Sequence, residues 1–126
     1  MTNVLVCVTR KDSAKKLIEY GKQFILDDND KLFIVNIGSY EMYYLNKTEE
    51  EQGLDYLYEL ALKAGADIKV IRSNNAGESL FNYIKENEIS RVVIEESKQL
   101  RGLKRIDSLI EEAGMSVKCD YIAIEP

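Results

Sequence analysis

The stretch NVLVCVTRKDSAKKLIEYGKQF, Asn3 to Phe24, passes from a continuous apolar run to a 3.6-residue period. Asn3–Thr9 is short, apolar and rich in β-branched residues, the pattern of a strand covered on both faces, as in a parallel sheet. Beyond it Ala14, Leu17, Ile18, Gly21 and Ile25 fall on one stripe of a helix, and Asp12 or Ser13 offers a natural N-cap. A doubly covered strand leading straight into an amphipathic helix is the first half of a β-α-β unit.

The same alternation continues along the chain. KLFIVNI (Lys31–Ile37), DIKVIR (Asp67–Arg72), RVVIE (Arg91–Glu95) and CDYIAIE (Cys119–Glu125) read as strands, and those at Lys31 and Arg91 also look covered on both faces. Leu54, Leu57, Tyr58, Ala61 and Ala64 form a second helical stripe, closed by Gly65 as its C′ residue. Leu80, Phe81 and Ile84 mark a third, opened by Asn75 with Glu78 at capping-box spacing. Ile106, Leu109, Ile110 and Ala113 give a fourth, ended by Gly114. With right-handed crossovers this order predicts one α/β domain over residues 1–126: a doubly wound five-stranded parallel sheet, order 3-2-1-4-5, with two helices on each face.

In such a sheet a ligand sits beyond the carboxyl ends of the strands, where the winding reverses. Three segments surround that crevice: TRKDS after strand one, GSYEMYYLNK after strand two and ESKQLRGLKR after strand four. The last is a basic, glycine-containing loop between a strand and a helix, the shape of a phosphate loop. Residues 38–48, with three tyrosines and a methionine, make a lid, a partner surface or a loop folded back on the core.

Composition narrows the function. The chain has 126 residues, 45% hydrophobic and 31% charged, the balance of a soluble globular protein. The net charge of −5 argues against a nucleic-acid-binding surface. No apolar run reaches the roughly 20 residues that span a bilayer, and no leader pattern opens the sequence, so no membrane partner and a cytoplasmic location are expected. There is no histidine, which excludes histidine triads, general bases and metal ligands. Cys7 and Cys119 stand in separate apolar runs and read as two buried thiols. Glu95 and Glu96 read as a solvated strand end, and KTEEEQ as a solvated helix start.

Two longer stretches resemble a known family. VLVCVTRKDSAKKLIEYGKQF is similar to the opening of universal stress proteins, and especially to the version embedded in Kdp-type potassium sensor kinases. LALKAGADIKVIRSNNAGESLFNYIKENEISRVVI is similar to the family's middle, and the likeness covers nearly the whole chain. The resemblance implies a module without enzymatic activity, with no catalytic residue and no metal site. It also implies a homodimer paired through strand five, an edge with few protecting charges, and a signalling protein partner.

The family has a branch that binds adenosine phosphates and a branch that does not bind ATP. Binders carry G-x2-G-x9-G-[ST] after strand four, where glycines let the backbone approach the phosphates. Here Glu95 or Glu96 stands at the first glycine, and no glycine lies three residues on. Gly102 resembles the glycine opening GLKR in some members, and Ser108 alone suits the last position. A carboxylate at about 5 Å from a phosphate costs on the order of 3 kcal/mol at an effective dielectric near 20.

The resemblance therefore implies a degenerate phosphate loop and a stress or signalling module acting by protein interaction or weak ligand sensing. The alternative is an ATP- or AMP-binding protein, with an adenine nucleotide as cofactor. The ligand-binding residues it implies are Thr9, Asp12, Ser13, Ile37, Gly38, Ser97, Arg101, Gly102, Arg105 and Ser108. Any bound ligand is expected to carry fewer phosphates than ATP, held by Ser97 and one of Lys98, Arg101 or Arg105. Phospho-receiver, flavodoxin and nucleotidyltransferase readings fail: the receiver's acidic pair, the flavodoxin loop glycines and the HxGH histidines are missing.

Overall fold

The computed structural model describes residues 1–38, 47–96 and 105–124, with the side chains of 47–50 and 105 left out. Its elements run β1 (Asn3–Val8), α1 (Lys11–Lys22), β2 (Lys31–Gly38), α2 (Lys47–Ala64), β3 (Asp67–Arg72), α3 (Ala76–Glu86), β4 (Arg91–Glu95), α4 (Arg105–Glu112) and β5 (Lys118–Ile122). The strands form one parallel sheet in the order β3-β2-β1-β4-β5. In the centre Leu5 lies between Phe33 of β2 and Val92 of β4. The topology expected from the alternating pattern is the one observed.

The continuous apolar runs follow from burial on two faces. Leu5, Cys7, Val92 and Ile94 point to one side, where they meet Leu80 and Ile84 of α3 and Ile106 and Ile110 of α4. Val4, Val6, Val8 and Val93 point to the other and meet Ala14, Leu17 and Ile18 of α1 and Leu57 and Ala61 of α2. Each of the larger side chains contributes roughly 1.5–3 kcal/mol by leaving water. Gly21 sets how closely α1 approaches the sheet, since a Cβ there would sit 2.6 Å from Val6 Cγ2.

Local signals hold at several ends. Asn75 caps α3, its side chain accepting from the Glu78 amide at 3.4 Å while its own amide group donates to Glu78 Oε2 at 2.7 Å. Gly65 and Gly114 both take the left-handed backbone expected after a helix, with φ of 66° and 65°.

Other expectations are corrected. The N-cap of α1 is Arg10, with no side-chain cap bond, so neither Asp12 nor Ser13 holds that position. Tyr58 leaves the α2 stripe and is 50% exposed, because the buried face is centred on Leu57 and Ala61, and one residue further turns 100° away. Ala113 lies exposed beyond the end of α4, and Ile25 packs on the core from beyond α1. Strand five is Lys118–Ile122, shorter at its C-terminal end than CDYIAIE, and Cys119 in it is only partly buried.

Candidate functional site

The winding reverses between β1 and β4, and their carboxyl ends meet the start of α1 there. Along β4 the side chains alternate, so Glu95 points to the same side as Val93, toward α1. The expectation of a solvated Glu95 is wrong: its side chain is 3% exposed, while Glu96 is exposed. Adjacent strand residues face opposite sides, so the two carboxylates do not form a converging acid/base pair.

Arg10 and Ser13 enclose the buried carboxylate. Arg10 Nη2 forms an ion pair with Glu95 Oε1, and Arg10 Nε donates to Oε2 at 3.3 Å. The Ser13 hydroxyl, fully buried, donates to the same Oε2 at 2.8 Å and lies 3.3 Å from the Arg10 carbonyl. A buried carboxylate needs such partners, because desolvation without them costs several kcal/mol. The first turn of α1 adds its partial positive charge. In return Glu95, first by hydrogen bond and then by charge, raises the Arg10 guanidinium above its ordinary pKa. The Arg10 side chain stays 43% exposed, so it spans from the buried carboxylate to solvent.

The other expected residues are arranged unevenly. Thr9 is partly buried at the end of β1, and Asp12 is exposed in the first turn of α1. Ile37 packs into the core on the α3 and α4 side, leaving its backbone rather than its side chain for any ligand. Gly38 ends β2, and its carbonyl accepts from the Ser73 amide at 3.1 Å. Asn36 Nδ2 donates to the Val8 carbonyl at 3.1 Å, tying the ends of β1 and β2. Ser108 is exposed on α4. Arg105 begins α4, while Ser97, Lys98, Arg101 and Gly102 lie outside the described residues, as does nearly all of the 38–48 loop.

The sequence reading named Ser13 at the switch point, as a cap or a ligand contact, and missed both Arg10 and the burial of Glu95. A usable signal existed: an acidic residue ends a doubly buried strand, and a cation follows the neighbouring central strand. Among the described residues no group of three or more His, Cys, Asp or Glu side chains is placed to hold a metal.

Sheet order, switch point and helix placement define a doubly wound α/β protein with the fold of universal stress proteins. A universal stress protein family structure from Burkholderia pseudomallei superposes with a TM-score of 0.63 at 15% identity, over 96% of each chain. The universal stress protein from Archaeoglobus fulgidus in complex with dAMP gives 0.58 at 15% identity, over 94% of this chain and 97% of that one. A universal stress protein in complex with cAMP gives 0.61 at 16%, over 96% and 95%. At these identities the likeness is one of fold. No protein-family model matches the sequence, and no curated protein matches it.

Proposed function

We propose that this chain is a non-enzymatic stress or signalling module of the universal stress protein type, related to the version in Kdp-type sensor kinases. Its nucleotide crevice is degenerate, and it works in the cytoplasm through protein contact or weak ligand sensing. One observation carries this reading: a buried carboxylate, Glu95, ends β4 and takes up Arg10 and Ser13 at the switch point. A phosphate brought to that strand end meets a negative charge whose neighbouring cation is already engaged. MgATP is therefore expected to bind weakly or not at all.

A second reading, an adenine-nucleotide-binding protein, is favoured by the dAMP and cAMP complexes of two proteins sharing the fold. Both ligands carry one phosphate, which suits a crevice with little room for negative charge. Calorimetric titration of the native protein with MgATP, AMP and cAMP decides between the readings. Dissociation constants weaker than about 100 μM for all three support the first. A micromolar constant for AMP or cAMP establishes the second, and a micromolar constant for MgATP overturns the degenerate loop. Replacing Glu95→Gly with Glu96→Ser tests the cause, since the electrostatic account requires tighter nucleotide binding in that variant.

A further inference from the structure

The Arg10–Glu95 pair is unevenly placed, with its acid inside the protein and its base at the surface. The Glu95 side chain is 3% exposed and that of Arg10 is 43% exposed. Arg10 reaches the carboxylate through Nε and Nη2, and its Nη1 makes no hydrogen bond among the described residues. The elements packed around Glu95 bring no second cation to it. On α1, Ser13 supplies a hydroxyl, Asp12 is an acid whose charge also acts on the Arg10 guanidinium, and Lys11 turns to the Tyr56 ring, 5.4 Å from its centre. β5 sets Ile122 beside Glu95, and β1 runs out through Val8 to Thr9, none of them charged. Glu96 is exposed. Among the described residues, then, Glu95 has one counter-ion, and that counter-ion is open to solvent at the switch point.

We propose that an oxyanion, such as the phosphate of a nucleotide, binds this crevice by drawing Arg10 away from Glu95, and that each anion bound brings one proton onto the Glu95 carboxylate. The inference rests on the second reading above, in which the crevice takes an adenine nucleotide, and adds its regulation. The anion and Glu95 compete for one guanidinium. Once Arg10 turns to the anion, Glu95 keeps only the Ser13 hydroxyl, and a carboxylate so buried is neutralised by a proton from solvent. Ser13 suits both states. Its hydroxyl donates to Glu95 Oε2 at 2.8 Å and lies 3.3 Å from the Arg10 carbonyl. Turned toward that carbonyl, it accepts from the new carboxyl O–H instead. The sign follows from the proton count. The anion-bound form holds one proton more than the free form, so binding tightens as pH falls, by up to about tenfold per pH unit.

Two probes of constant charge separate this linkage from nucleotide recognition. Sulfate tests Arg10 without adenine, and cAMP, with its single phosphodiester charge, tests the nucleotide. Calorimetric titration at pH 5.5 and pH 8, in buffers of different ionisation heat, reads affinity and proton uptake together. Both anions should bind the native protein at least about tenfold more tightly at pH 5.5, with about one proton taken up per anion. Glu95→Gln should bind both at the tighter level at either pH, with no proton uptake, and Arg10→Ala should lose sulfate binding. Binding to the native protein that is independent of pH and takes up no proton overturns the proposal, because the anion then sits on Nη1 with the ion pair intact. No binding of either anion up to about 10 mM at pH 5.5 overturns it as well. Proton-linked sulfate binding with cAMP no tighter than sulfate supports the linkage and removes the adenine-nucleotide reading instead.

Discussion

The hydroxyl of Ser13 donates to the carboxylate of Glu95 at 2.8 Å, joining the first turn of α1 to the end of β4 across 82 positions of sequence. Ser13 therefore satisfies an acid inside the protein instead of its own helix end. Arg10 completes the arrangement from the solvent side, and together the three residues occupy the switch point with internal contacts.

Neutralising Glu95 should show what this pair does. Glu95→Gln retains the shape, removes the charge and leaves Arg10 available to a phosphate. Its affinity for MgATP should rise about tenfold or more if one carboxylate-phosphate repulsion is relieved. Arg10→Ala leaves the carboxylate buried with Ser13 alone and should cost about 1–3 kcal/mol, moderated by the exposure of Arg10. Urea unfolding of both single variants and the double variant measures the coupling. Additive effects would remove the pair from the account.

Gly21→Ala provides a packing test whose sign is unusual. In an exposed helix this substitution gains up to about 1 kcal/mol. Here the new methyl would stand 2.6 Å from Val6 Cγ2 on the central strand. Separation of α1 from the sheet, or displacement of Val6, should instead cost about 1–3 kcal/mol. A lower urea midpoint with an unchanged slope is the expected result, and a raised midpoint would contradict the close approach.

Asp30 should make stability sensitive to acid. Its carboxylate accepts from the Leu26, Thr2 and Asp27 amides at 2.9, 2.7 and 3.3 Å, and these bonds, Leu26 first and Thr2 next, lower its pKa. A lowered folded-state value means that the contribution is complete above the unfolded value, about 3.9. It disappears as pH falls through the folded one. Between pH 6 and pH 3 the native protein should lose more stability than Asp30→Asn, as followed by thermal melts. Parallel losses would assign the acid response elsewhere.

Strand five is an edge of the sheet, and a homodimer paired through it is expected. Among its described residues Lys118 and Tyr121 are exposed, and the Tyr121 hydroxyl donates to Asp107 Oδ2 at 2.7 Å. Light scattering at tens of micromolar should give the mass of two chains. Ala123→Lys, at an exposed position just past the strand, should shift it toward one. A native protein with the mass of one chain would refute the pairing.

The fold was legible where local pattern and burial agree. Unbroken apolar runs in β1, β2 and β4 can only be covered on both faces, and helices between them leave a parallel sheet as the solution. The Asn75–Glu78 cap was legible because both partners lie within one turn. The site was less so. Whether Glu95 faces water depends on Arg10 and Ser13, more than eighty residues away, and no local period reports that. Ser13 looked like a cap because serine commonly is one, but its hydroxyl donates its hydrogen bond to a buried carboxylate instead. Ser97, Arg101 and Gly102 lie outside the described residues, so the expectation that they line the crevice rests on resemblance alone.

The central position of β1 has a consequence for synthesis. Its residues leave the ribosome before those of its two neighbours, and one of its edges is matched by β2 soon afterward. The other waits for β4, since Val4 pairs with Arg91 and Cys7 with Ile94. Contacts so distant along the chain are late and slow to form. Throughout that interval the nascent polypeptide presents Val4, Leu5 and Val6 along a bare strand edge. The most buried strand of the finished molecule is thus the one whose exposure lasts longest during translation, and the one that holdase chaperones have most reason to cover.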